Sequence, residues 1–372
     1  MTPPPPGTVG DRAAGVLLGA ACGDALGVPY EFARRLGDHE VPEMVGGGLG
    51  PYAPGEYSDD TQMAVCIAEA LRDHDAPLSD RALRQTAEAF LAWRRDGASD
   101  IGHQTQKVLG EVEAARGTEG VAEQMAAHAR RLFESGLPSA GNGSLMRTGP
   151  LALAYLDDPA GLAVAADRYS RLTHGDPLAS EACVLWCEGV RRAVVRGDLS
   201  GVRAGVELLP MGRQASWAAW LDEAEERPPH AFEGNGFVVR ALQAAWSAVS
   251  RGEAEEEAPG AGDAGNAGLP TSTEGPRLQL SRPAAHQRPE GAARESERPP
   301  STEGLRLQRS LWSAVRAGND TDTVAAIAGA LLGARYGASA IPDEYLSVVH
   351  GWPGYRAADL AALALAITER HS

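Results

Sequence analysis

Aromatic residues are scarce in this 372-residue chain, at 5%, and cysteine occurs only four times. So few rings, with so much Ala and Gly, fit a core of closely packed helices. Four cysteines in this length do not make a disulfide framework. Cys183 and Cys187 stand one helical turn apart, but no second Cys or His pair completes a zinc site. Buried thiols in a reducing cytosol are the expectation. Basic residues are outnumbered, 34 against 50 acidic, for a net charge of −16. That balance argues against a nucleic-acid surface and against adsorption to anionic membranes. Met1–Gly7 has neither a basic stretch nor an apolar run, so no signal peptide is expected. No uninterrupted apolar run of about 18 residues occurs, so no membrane span is expected. Sustained period-two alternation is also missing, which leaves few strands. A cytoplasmic, all-α protein follows as the expectation.

Helical signals are plentiful. Gly15, Gly19, Gly23 and Gly27 recur every fourth residue in a helix predicted over 11–26. Gly329, Gly333 and Gly337 repeat the device, and Gly-Val-Leu-Leu-Gly-Ala at 15–20 echoes Gly-Ala-Leu-Leu-Gly-Ala at 329–334. Such spacing puts the glycines on one helical face, where another backbone can approach closely. The two segments are expected to pack against each other or against equivalent neighbours. Further helices are predicted at 60–72, 79–95, 101–115, 119–134, 159–172, 177–196, 199–208, 214–225 and 235–250. Loops are predicted at 36–56 and 136–149.

Residues 251–304 differ. The segment is acidic at first, then rich in Gly, Ala, Pro, Ser, Thr, Arg and Glu, with no aromatic residue and no Val or Ile. It cannot bury enough apolar surface to offset the entropy of ordering. Ser272–Gln279 nearly duplicates Ser301–Gln308, as a tandem-duplication insert would. The expected organisation is a disordered tail at 1–10, one compact helical domain from 11–250 and 305–372, and a disordered low-complexity insert at 251–304.

Two acidic stretches open apolar helices at opposite ends of the chain. They are Ser58-Asp59-Asp60-Thr61 and Asn319-Asp320-Thr321-Asp322-Thr323. Ser, Thr and Asp are favoured N-caps, and a single cluster of this kind is most often only a cap. A cap needs one oxygen, however, and each cluster offers several. Ser58, Asp59, Asp60, Asp320, Asp322 and Thr323, with Glu31 as an addition, form an all-oxygen donor set suited to Mg²⁺, Mn²⁺ or Ca²⁺. Crowded carboxylates repel unless cations neutralise them, and this many calls for two divalent ions. Asp320-Thr321-Asp322-Thr323 also carries the paired aspartates of the Asp-x-Asp-x-Thr nucleophile motif of haloacid-dehalogenase-like phosphatases. That motif follows a hydrophobic parallel strand, whereas its context here is helical. The loop Gly141-Asn142-Gly143-Ser144-Leu145-Met146-Arg147 can cradle an anion, with Arg147 adding charge. His174 and Phe237 read by themselves as a structural histidine and a core ring.

Together the motifs resemble the ADP-ribosylglycohydrolase family, which includes dinitrogenase-reductase-activating glycohydrolases and the ADP-ribosyl-acceptor hydrolases. Gly-Asp-Ala-Leu-Gly-x-Pro-x-Glu at 23–31, Ser-Asp-Asp-Thr at 58–61 and Asp-Ile-Gly-x-x-Thr at 100–105 come first. Gly-Asn-Gly-x-x-Met-Arg at 141–147, Thr-His at 173–174 and Asn-Asp-Thr-Asp-Thr at 319–323 follow in the family's order. The resemblance implies a compact helical domain around two Mg²⁺ or Mn²⁺ ions held by Ser58, Asp59, Asp60, Asp320, Asp322 and Thr323. It implies acid–base roles for Glu31 and Asp100. It implies binding of the phosphates and ribose by Gly141, Asn142, Gly143, Ser144, Met146, Arg147 and His174, and stacking of adenine on Phe237. Gly175-Asp176 departs from members that carry a second His nearby. The implied activity is hydrolysis of the C1″ bond of ADP-ribose attached to an acceptor, by a monomer. Alternatives are a non-catalytic ADP-ribose-binding protein and a hydrolase of a related small nucleotide.

Overall fold

The two glycine-spaced segments lie side by side at the centre of the molecule. The computed structural model describes residues 3–257 and 301–372. Its long helices begin with α1 (Val9–Gly27), α2 (Asp59–Asp73), α3 (Asp80–Asp96), α4 (His103–Val112) and α5 (Val121–Glu134). They continue with α6 (Pro159–Ser170), α7 (Pro177–Arg196), the single turn α8 (Gly201–Ala204), α9 (Met211–Glu226) and α10 (Val238–Glu257). Then come α11 (Thr302–Val315), α12 (Thr321–Tyr336), the single turn α13 (Asp343–Leu346) and α14 (Ala357–Arg370). Strands among the described residues amount to one two-residue antiparallel pair, β1 (His350–Gly351) with β2 (Tyr355–Arg356).

α1 and α12 run antiparallel with their backbones in contact. A Cβ at Gly15 would stand 2.1 Å from the Gly333 carbonyl oxygen, and one at Gly19 would stand 2.1 Å from that of Gly329. Lower down, a Cβ at Gly23 would meet the Ala325 oxygen at 2.0 Å, and one at Gly27 the Asp322 Cα at 2.4 Å. No side chain fits at those separations, so glycine is required by approach rather than by backbone angle. α1 is apolar on every face because neighbours surround it. By length and composition the stretch Val9–Tyr30 is sufficient to cross a bilayer, but 89% of that window is buried inside the structure. The four cysteines are free and buried, as expected.

The structure differs from the sequence reading at several boundaries. Residues 9 and 10 belong to α1, which Thr8 caps by accepting the Asp11 N–H. The Asp11 carboxylate accepts the Gly7 N–H and both the N–H and the hydroxyl of Ser339, tying the first residues to the end of α12. α10 continues to Glu257, and α11 starts at Thr302, where Ser301 caps it. The remainder of the proposed insert, 258–300, lies outside the described residues. The helix expected over 199–208 is one turn, α8, continued as 3₁₀ helix to Leu208.

Candidate metal centre and ligand cavity

The acidic ends of α2 and α12 meet beside the C-terminal end of α1. Neither acidic cluster caps its own helix: the side chains of Ser58 and Asp320 make no capping bond. Asp24, projecting from α1, caps α2 in place of Ser58. Its Oδ1 accepts the N–H and hydroxyl of Ser58 at 2.8 and 2.7 Å, and its Oδ2 accepts the N–H and hydroxyl of Thr61 at 3.0 and 2.6 Å. All four lone-pair positions of that carboxylate are therefore filled. The Ser58 hydroxyl also lies 3.0 Å from Asp60 Oδ2, and its single proton cannot serve both carboxylates. The other oxygen of Asp60 is buried and has no partner. A positive charge, proton or metal, is what these oxygens lack.

Carboxylate oxygens of Asp24, Asp60 and Asp322 lie within 4.8 Å of one another, as do those of Glu31, Asp320 and Asp322. Asp322 belongs to both trios. Asp320 is held by Asn142, whose Nδ2 donates to its Oδ2 at 2.8 Å, and by Asn235, whose Oδ1 accepts its N–H. Glu31 is placed by a strained turn. Phe32 and Asn319 both have left-handed φ, 46° and 58°, and the Phe32 N–H donates to the Asn319 carbonyl at 2.7 Å.

Burial pushes Glu31 up to about 9, with Asp320, Asp100 and Asp59 adding repulsion. Burial also raises Asp24 to about 6, against the pull of its four hydrogen bonds. Asp59, Asp60 and Asp322 are driven well above the carboxylate range, by burial first and by the charges of neighbouring carboxylates, Asp24 and Asp320 among them, second. Asp320 is raised too, although Asn142 opposes the shift. All-oxygen donors, an orphaned oxygen and mutual repulsion fit hard divalent cations.

A cavity of about 940 Å³ opens onto this cluster. Glu31, Asp59, Asp100, Asp320, Asp322 and Thr323 line it. So do Gly141, Asn142, Gly143, Met146, His174 and Phe237. The glycine loop is pinned to the start of α10: the Asn142 N–H donates to the Gly236 carbonyl, and the Val238 N–H to that of Ala140. That pairing sets Phe237, 42% exposed, at the cavity instead of in the core.

Four proposed site residues do not reach the cavity. Ser58 is engaged with Asp24, and Asp60 lies behind it with Asp24 and Asp322. The hydroxyl of Ser144 is 2.9 Å from that of Ser170 in the core. Arg147 is fully buried and turned inward, its guanidinium 4.6 Å from the centre of the Phe90 ring. It does not line the cavity into which the glycine loop faces. Asp24 is the residue that sequence reasoning passed over. Its signal was a lone carboxylate among apolar residues in Gly23-Asp24-Ala25-Leu26-Gly27.

The sequence model of the family described as ADP-ribosylglycohydrolase matches residues 5–372. The chain is 33% identical over 190 residues to the ADP-ribosyl-[dinitrogen reductase] glycohydrolase of Rhodospirillum rubrum, covering 48% of this chain and 56% of that protein. It is 27% identical over 350 residues to the ADP-ribosylarginine hydrolase Tri1 of Pseudomonas putida, covering 91% of this chain and 74% of that one. A solved structure titled ADP-ribosylglycohydrolase-related protein complex superposes with a TM-score of 0.65 at 27% identity, over 98% of this chain and 99% of that chain. The matched model takes in both acidic helix ends and the glycine loop between them, so the chain belongs to the ADP-ribosylglycohydrolase family.

Proposed function

We propose that this protein hydrolyses the C1″ glycosidic bond joining ADP-ribose to an acceptor. The observation that carries the reading is one cavity lined by two unlike sets of residues. Clustered carboxylates drawn from both ends of the chain share it with a glycine loop, an imidazole and an exposed ring. Adenine stacks on Phe237, a contact worth roughly 1–3 kcal/mol. The loop Gly141–Gly143 takes the diphosphate. That leaves the distal ribose against the carboxylates, with its C1″ near Glu31 and Asp100.

Asp60, Asp320 and Asp322, with Glu31 and Asp59 beside them, are the residues that would hold two Mg²⁺ or Mn²⁺ ions, with Asp24 positioning Ser58 and Thr61. When bound, such ions polarise oxygens and lower the pKa of water or a ribose hydroxyl. The protein's own groups handle the protons. Water adds its oxygen to C1″ as the bond to the acceptor breaks, through a transition state of oxocarbenium character. Glu31 and Asp100 divide the work of taking the proton from water and giving one to the leaving acceptor. The products are the free acceptor and ADP-ribose.

The test is an assay of the purified protein on arginine- and serine-linked ADP-ribosylated substrates with Mg²⁺, Mn²⁺ or EDTA, reading released ADP-ribose. Release from one linkage, lost in EDTA, is the expected result and identifies the acceptor. No release from either, with tight metal-dependent binding of ADP-ribose by calorimetry, would replace hydrolysis by binding alone.

A further inference from the structure

Arg147 is a buried cation with no carboxylate bonded to it among the described residues. Among the described residues its side-chain partners are the Met63 sulfur, 3.6 Å from Nη1, the Thr173 hydroxyl, 2.7 Å from Nη2, and the face of the Phe90 ring. Its Nε is buried and unbonded. Desolvation lowers its pKa to about 10, which leaves it charged at neutral pH. A buried charge this poorly compensated is expensive, and an apolar side chain of similar volume would be neutral or stabilising in its place. Packing does not account for it.

The hydrogen bonds lead outward to the cavity. An arginine can only donate, so Thr173 Oγ1 accepts from Arg147. The hydroxyl proton of Thr173 then needs an acceptor. His174 Nδ1 lies 2.8 Å from that oxygen, and no other partner of this hydroxyl is seen among the described residues. Nδ1 is thereby an acceptor, and the ring proton sits on Nε2. The Nε2 edge faces the glycine loop: a Cβ at Gly141 or Gly143 would stand 3.3 or 3.5 Å from it. His174 is 2% exposed, and burial with the nearby Arg147 charge drives its pKa down to about 3, so it stays neutral.

We propose that Arg147 and Thr173 are positioning residues that lock His174 in its Nε2–H form, so that a neutral N–H donor is aimed at an oxygen of the ligand beside Gly141–Gly143. That the ligand is ADP-ribose rests on the reading under Proposed function; the lock itself does not. The chain needs the buried arginine because a histidine next to a hydroxyl alone can adopt either tautomer. A histidine presenting a bare Nε2 lone pair would repel a phosphate oxygen. The device also keeps the donor constant across the pH range in which an ordinary histidine, with its pKa near 6.5, would change charge.

The test is ¹⁵N NMR of histidine-labelled full-length protein, with His174 assigned by the signal lost in His174→Gln. From about pH 5 to 8, Nε2 should resonate as a protonated nitrogen and Nδ1 as an unprotonated one. Thr173→Val and Arg147→Met should each give averaged shifts of a tautomer mixture, and Thr173→Ser should restore the wild-type pattern. Arg147→Met should leave the melting temperature unchanged or higher while weakening ADP-ribose binding about threefold to tenfold. A wild-type His174 carrying its proton on Nδ1, or titrating near pH 6.5, overturns the proposal, as does an unchanged tautomer in Arg147→Met. The wild-type shifts decide the matter even if a variant fails to fold. A wild type that binds no ADP-ribose removes the ligand assignment and leaves the tautomer decided by its shifts.

Discussion

Asp322 is the residue through which both carboxylate trios pass. Truncating it removes a donor from each and relieves repulsion on Asp60, Glu31 and Asp320. Asp322→Ala should therefore lose at least about 100-fold in divalent-cation affinity, together with turnover. Its melting temperature in chelator should be unchanged or higher, because a buried, like-charged group has gone. Calorimetry, the release assay and thermal melts check this, and metal-dependent turnover retained by the variant would break the ligand assignment. At this scale the sequence was a mixed guide. Clustered oxygens marked Asp59, Asp60, Asp320 and Asp322 because a cap has no use for so many. The inward turn of Arg147 was not legible, because a motif places a residue on the chain and says nothing about which way its side chain points. Asp24 was hidden for the opposite reason. Its partners Ser58 and Thr61 lie 34 and 37 residues away, and local pattern cannot reveal a cap supplied by another helix.

The pairing of α1 with α12 was legible, since a glycine every fourth residue on two helices is wasteful unless backbones touch. The structure adds the register, Gly15 against Gly333 and Gly19 against Gly329, and with it the reason both helices end at the carboxylates. A Cβ at position 333 would fall 1.9 Å from the Gly15 carbonyl oxygen. Both atoms are backbone, so relief requires the helices to separate. Gly333→Ala should cost about 3 kcal/mol, at the upper end of overpacking penalties. In a chain of this size that lowers the melting temperature by roughly 4–5 °C. Gly333→Leu or Gly19→Leu should prevent folding. An unaltered melt for Gly333→Ala would mean that the helices are not in this contact. The segment 199–208 was read as one helix because propensity is local. It stops after a turn where Gly201 packs on Glu188 and Gly189 of α7, a contact that no periodicity announces.

At the scale of the whole molecule, α10 and α11 flank residues 258–300, and the described residues supply both the carboxylates and the glycine loop of the cavity. Replacing 258–300 with a flexible linker of about ten residues should leave release of ADP-ribose and the melting temperature unchanged. Loss of activity in a folded variant would give the segment a functional role. The carboxylate cluster makes a different demand on the molecule, because its charge must be neutralised by protons when metal is removed. Glu31 is raised from 4.5 to about 9 and Asp24 from 3.8 to about 6. Between the ordinary and raised values the folded chain holds protons that the unfolded chain has given up. Stability then falls as pH rises, since its slope follows the protons bound unfolded minus those bound folded. In EDTA the melting temperature should be higher near pH 5 than near pH 9, with one decline through about 6 and a further decline toward 9. Carboxylates lowered by partners, such as Asp73 beside Arg72, lose their contribution only below their usual range and do not enter this window. Mg²⁺ or Mn²⁺ replaces the protons, so the cation's stabilisation should grow with pH and flatten the decline. Thermal melts at five pH values with EDTA or Mg²⁺ measure both effects. A melting temperature in EDTA that rises from pH 5 to 9, or a cation effect that shrinks as pH rises, would show that these carboxylates are not the groups the cation neutralises.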